Sequence, residues 1–82
     1  MVVSESEWLS LFAAELGTEP PTTEEIGDLL AIAGIAAHTS ERTAAPISCW
    51  LVARAGLGPE EARLAAERLR GALEEGGAPS SA

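Results

Sequence analysis

The sequence predicts an all-α fold, a compact four-helix bundle with helices over about 5–16, 22–38, 44–55 and 59–74. Three observations predict it. Apolar residues recur at helical spacing, and no alternating apolar–polar run asks for a strand. Serine, threonine or proline stands where each helix would start, with glutamates just inside three of them. Glycine and proline then separate the four segments, and the short connections imply antiparallel neighbours.

The first helix opens at Ser4, which has capping-box spacing to Glu7. Trp8, Phe12 and Leu16 follow at i, i+4 and i+8, with Leu9 and Ala13 beside them, so they read as one inward face. Gly17 suits the position just past the last turn, and Pro20-Pro21 blocks continuation.

The second helix opens at Thr22 or Thr23, with Thr22 and Glu25 as a second capping box. From Ile26 to Ala37 its only charge is Asp28, so it should be the central helix. Gly27 and Gly34 lie on roughly one face of it. Close approach of a neighbouring helix and simple tolerance of small residues are equally good explanations.

The third helix has Thr43 as its expected N-cap and Pro46 in its first turn. Ile47, Trp50, Leu51 and Ala55 form its apolar face, and Gly56-Leu57-Gly58 ends it. The fourth starts with Pro59 and carries Glu60 and Glu61 at the favourable end of the helix dipole. Ala62, Ala65, Ala66, Leu69 and Leu73 should face inward, and Arg63, Glu67, Arg70 and Glu74 outward. Residues 1–75 then make one helical domain and 76–82 a flexible C-terminal tail.

Charge narrows the function. Thirteen acidic residues face five basic ones, all arginine, for a net charge of −8, which repels phosphate backbones and anionic lipid. Neither nucleic acid nor membrane is an expected partner, and a DNA-reading helix-turn-helix is disfavoured because the third helix has only Arg54 to offer. The longest uncharged run, Leu29 to Ala37, is too short to span a bilayer. The N-terminus has no basic segment followed by an apolar one, and Cys49 has no partner for an internal disulfide. Cytoplasmic localisation is the expectation.

The polar residues concentrate between the second and third helices, in His38-Thr39-Ser40-Glu41-Arg42-Thr43-Ala44-Ala45-Pro46. His38, Glu41, Arg42, Thr43 and Pro46 are therefore the candidate ligand- or partner-binding residues. Arg42 and Thr43 beside a helix N-terminus have the chemistry to hold a carboxylate or phosphate, as a small anion or as part of a nucleotide-derived ligand, with His38 as a further donor. Capping and local ion pairing of Arg42 with Glu41 or Asp28 account for the same residues without a ligand.

No metal or cofactor is expected, because one histidine and one cysteine lack ligand spacing. A small enzyme using Cys49 and His38 is the least favoured reading, since a lone buried cysteine usually acts as a small apolar residue. Trp8 and Trp50 fit core faces and are also the interface candidates, tryptophan being enriched where proteins meet. Alanine-rich faces bury little area, which makes a homodimer plausible on physical grounds.

Asp28-Leu29-Leu30, the run Ala36-Ala37-His38 through Pro46-Ile47, and Trp50-Leu51-Val52-Ala53 together resemble a small actinobacterial domain of unknown function. Trp8-Leu9 and Pro59-Glu60-Glu61 match its start and its last helix, so the resemblance covers about residues 7–73. The central motif is its specific part, and His38, Glu41, Arg42 and Pro46 match it. Some members are fused to, or associated with, molybdenum-cofactor guanylyltransferases. The resemblance thus implies an accessory role in molybdenum-cofactor maturation, with such an enzyme as partner. It implies no activity, and the glycine-rich phosphate loop of a nucleotidyltransferase is missing. The expected function is a non-catalytic interaction or accessory domain, not an enzyme.

Overall fold

A computed structural model describes residues 3–76; the expected tail, apart from Gly76, lies outside them. Four helices are present: α1 (Glu5–Leu16), α2 (Thr23–Thr39), α3 (Ala44–Ala55) and α4 (Pro59–Glu74). No strand occurs among the described residues.

Local chemistry sets the ends. Ser4 Oγ accepts from the Glu7 N–H at 3.1 Å while the Ser4 N–H donates to Glu7 Oε1 at 2.9 Å. Thr22 and Glu25 repeat the arrangement at 3.1 and 2.8 Å. At α4, Glu61 Oε1 accepts from the Gly58 N–H at 3.4 Å, and Pro59 fills the first helical position. Gly17 and Gly56 adopt φ of 75° and 73°, and each helix they end closes its last carbonyls through them.

Thr43 does not cap α3. Its backbone is already helical and its side chain makes no cap bond. The chain enters α3 through a tight turn in which the Glu41 carbonyl accepts from the Ala44 N–H at 2.9 Å and the Arg42 carbonyl from the Ala45 N–H at 3.1 Å. Of the two donors a threonine cap would serve, the Ala45 N–H is taken by the Arg42 carbonyl and Pro46 has none to offer.

α2 is the central helix, as its lack of charge predicts. Both α3 and α4 pack on it. α3 and α4 hardly touch each other, although only Gly56–Gly58 joins them, and α1 makes few close contacts with any helix. Asp28 of α2 meets Arg63 of α4, near the starts of both helices, so these two run in the same direction with α3 antiparallel to them. The molecule measures 45 × 26 × 20 Å with a radius of gyration of 14.5 Å, against about 12 Å expected for a chain of this length.

Packing falls on the small residues. Ala13, Ile32 and Ala62 are the buried residues among those described. On α1 the inward edge is Leu9 and Ala13, while Trp8, Phe12 and Leu16 face solvent. On α3, Ala45, Ser48, Cys49 and Val52 are half-buried, while the expected core residues Ile47, Trp50, Leu51 and Ala55 are exposed. On α4, Ala62, Ala65 and Ala66 pack inward and Leu69 and Leu73 do not. Arg63 also departs from expectation, being half-buried against α2 rather than on the solvent side. Alanine brings helix axes together but covers little area, so the larger side chains one turn away stay in solvent.

Nothing approaches Gly27 or Gly34. A methyl group built at either would meet no atom within 4 Å. Close helix contact therefore does not explain them.

Candidate functional site

Because α3 and α4 diverge on a shared support, an open apolar groove lies between them, with a volume of about 540 Å³. Ile32, Ile35, Ala36 and Thr39 of α2 form its floor. Ala44, Ser48, Leu51 and Ala55 of α3 form one wall. Ala65, Ala66, Leu69 and Leu73 of α4 form the other. Arg70 is the one charged residue that lines it. Outside the groove lining, α1 presents a second apolar surface: Trp8 and Phe12 stack at 5.4 Å with an interplanar angle of 13°. Leu11 and Leu16, each 62% exposed, flank them.

The total accessible surface, 6347 Å², is well above the roughly 4,600 Å² of a typical folded monomer of 8.4 kDa. The excess stands even if the eight residues outside 3–76 are counted at the area of an unfolded chain. Thirteen large apolar residues are exposed, spread over all four helices, the segment before α1 and the α3–α4 turn. Single exposed leucines need no explanation, but four of these residues, Leu51, Leu57, Leu69 and Leu73, line the groove together, and that marks it as a contact surface.

The polar turn expected to form the site is built differently. His38, Glu41, Arg42, Thr43 and Pro46 are all exposed. His38 closes the last turn of α2, and the Ser40 N–H donates back to the Ala36 carbonyl at 3.0 Å. None of the five makes a side-chain hydrogen bond or ion pair among the described residues. Arg42 does not pair with Asp28, which lies toward the other end of α2 and is bonded to Arg63. The start of α3 also has fewer free donors for an anion than an uncapped helix, since Ala44 and Ala45 bond backwards and Pro46 has no N–H. Thr39, Ser40 and Ala44 of this segment line the end of the groove.

Cys49 is a free, half-buried thiol on α3. Neither it nor His38 makes a side-chain hydrogen bond among the described residues. No three of the histidine, cysteine, aspartate and glutamate side chains described come together in an arrangement that could hold a metal ion. No described helix is long and apolar enough to cross a membrane.

At the opposite end, the starts of α2 and α4 share an acidic cleft lined by Glu24, Glu25, Asp28, Glu60 and Glu61. Two of these carboxylates are engaged in backbone capping, and Asp28 is neutralised by Arg63. The Arg63 guanidinium is held above its ordinary pKa by hydrogen bonds first to Asp28 and then to Glu67. The Glu7 carboxyl is held below its ordinary value by the hydrogen bond it accepts from the Ser4 N–H and by the Ser4 side chain. Both shifts belong to helix construction and neither lies in the groove.

Sequence periodicity singled out many of the groove residues, but as a filled core. The missed signal was size: on α3 and α4 the large residues flank the alanines that make the contacts. Trp8 and Trp50 are 53% and 58% exposed, and the Arg54 guanidinium lies 5.2 Å from the Trp50 ring centre.

The family described as Domain of unknown function (DUF6457) matches residues 3–80, and the chain belongs to it. Neither a curated protein nor a solved structure matches the chain.

Proposed function

We propose that this member of the DUF6457 family is a non-catalytic protein-interaction domain whose contact surface is the groove between α3 and α4. One observation carries the reading. The surface carries an apolar trough with a single charge on its lining, and the side chains of the polar turn beside it make no hydrogen bond or ion pair among the described residues. A trough of this form suits an amphipathic helix, recognised through side chains at i, i+3, i+4 and i+7. The accessory role in molybdenum-cofactor maturation, with a molybdenum-cofactor guanylyltransferase as partner, rests on the resemblance of the central motif alone.

The test is affinity capture from source-cell lysate with three baits: wild type, Leu69→Glu in the groove, and His38→Ala/Arg42→Ala in the turn. All altered positions are exposed, so the fold is expected to survive, and circular dichroism checks it. A protein kept by wild type and by the turn variant but lost by Leu69→Glu supports the groove. Loss with the turn variant alone moves the contact to His38 and Arg42. Among captured proteins, only a guanylyltransferase of that pathway would support the accessory role.

A further inference from the structure

We infer that the groove is filled by α1 of a second copy of this chain, the two copies exchanging α1 helices in a symmetric dimer; this rests on the groove being the contact surface. The three helices α2, α3 and α4 are a four-helix bundle with one position open, and α1 is a helix with little to pack on. Each chain thus carries both a groove and a ridge that matches it.

The match holds in four respects. Length agrees: α1 has 12 residues, and the α4 wall runs over the 12 residues from Ala62 to Leu73, each about 18 Å at helical rise. Pattern agrees: Trp8, Leu11, Phe12 and Leu16 fall at i, i+3, i+4 and i+8 and are exposed. Charge agrees: α1 carries Glu5, Glu7 and Glu15 and no basic residue, and the charged group on the groove lining is Arg70. Area agrees: the excess of exposed surface over a typical monomer is of the size that a standard interface removes from each partner, about 800 Å², or more.

The exchange is reciprocal, so the interface closes on itself and does not propagate into a fibre. In the single chain, α1 lies outside its own groove with Leu9 and Ala13 inward, which leaves the Trp8–Phe12 ridge free to reach another copy.

The test is sedimentation equilibrium of the full chain over a wide concentration range. Wild type is expected to reach twice the 8.4 kDa chain mass. Leu11→Glu on the ridge and Leu69→Glu in the groove are each expected to weaken dimerisation by about thirtyfold or more, because each sets a charge into a buried apolar contact. Both positions are exposed in the single chain, and circular dichroism verifies that both variants fold. Mixing the two variants is then expected to restore a weaker mixed dimer, since the intact α1 of one fits the intact groove of the other. A wild type that stays monomeric at high micromolar concentration overturns the inference, and the groove reading is then decided by the capture experiment. A dimer broken by Leu69→Glu but indifferent to Leu11→Glu overturns the α1 assignment and keeps the groove. A dimer indifferent to Leu69→Glu overturns the inference and counts against the groove as well.

Discussion

Arg63 Nε donates to Asp28 Oδ1 at 2.7 Å, tying α4 to α2 across 35 residues of sequence. The same guanidinium donates from Nη1 to Glu67 Oε2 at 2.8 Å, one turn along its own helix. The two acceptors differ in exposure. The Asp28 side chain is 22% exposed and that of Glu67 38%. Asp28 sits where water screens the pair less and where the bond joins two elements rather than one.

Asp28→Ala is therefore expected to destabilise the domain by about 1 kcal/mol, the range of a partly screened charge-assisted bond. Glu67→Ala, which removes only an i,i+4 pair, should cost about 0.3–0.5 kcal/mol. Urea unfolding of both variants and of Arg63→Met closes the comparison. Equal losses from the two carboxylates would show that the inter-helix bond has no special weight.

The two threonines before helices make a sharper contrast. Thr22 accepts from the Glu25 N–H and closes a capping box, so Thr22→Ala should cost about 1 kcal/mol. Thr43 has helical backbone and no cap bond, so Thr43→Ala should stay within about 0.5 kcal/mol of wild type. Thermal melts of the two variants distinguish these outcomes directly.

Much of this was legible in the sequence. Helix ends are written locally: Ser4 with Glu7, Thr22 with Glu25, and Gly17 and Gly56 each need only a few residues to act, and all four act as their spacing predicts. Which face of a helix is covered is not local. On α1, Trp8–Phe12–Leu16 and Leu9–Ala13 are adjacent stripes of similar apolar character, and only the neighbours decide which turns inward. The sequence favours the bulkier stripe, and the structure buries the smaller one. The same reversal on α3 leaves Leu51 and Ala55 of the expected core on a groove wall and Ile47 and Trp50 in solvent outside it. The α2–α3 turn departs from expectation at Thr43 for a related reason: a threonine before a helix looks like a cap even where one of its donors is taken by a backbone carbonyl and the other position is a proline.

Gly27 and Gly34 sit in mid-helix with open space where a side chain would begin. Alanine there narrows the unfolded ensemble and meets no neighbour. Gly27→Ala and Gly34→Ala should each stabilise the domain by about 0.5–1 kcal/mol, raising the melting temperature by a few degrees. A lower melting temperature for Gly34→Ala, with Gly27→Ala behaving as expected, would reveal a close neighbour at Gly34 in the assembled state.

The capping box of α1 should respond to acid with a definite sign. Glu7 has its pKa lowered in the folded chain from the ordinary 4.5, first by the Ser4 backbone N–H and then by the Ser4 hydroxyl. Its contribution is thus fully present above pH 4.5 and is lost as pH falls through the lower folded value. The α1 N-terminus should fray in that window. Carbon-13 titration of the Glu7 carboxyl should show a midpoint below that of an exposed glutamate. Ser4→Ala removes the hydroxyl and keeps the N–H, so it should move the midpoint only part of the way back toward the ordinary value, and an unchanged midpoint would mean that the hydroxyl has no share in the shift.

Trp8 and Trp50 report on opposite sides of the molecule's chemistry. Trp8 belongs to the α1 ridge and stacks on Phe12, whereas Trp50 points away from the groove walls and is covered in part by Arg54. Trp8→Phe and Trp50→Phe leave one fluorophore each. Acrylamide is the quencher of choice, since a charged one would be biased by the net charge of −8. At low concentration both tryptophans should be quenched readily, in keeping with their exposure. As concentration rises, Trp8 should become protected and Trp50 should not, because only the α1 ridge enters the groove of a second chain. Protection of Trp50 in place of Trp8 would put the contact on the outer face of α3, with Ile47 and Arg54 as its neighbours. Equal, concentration-independent quenching of both would leave α1 without an occupied groove.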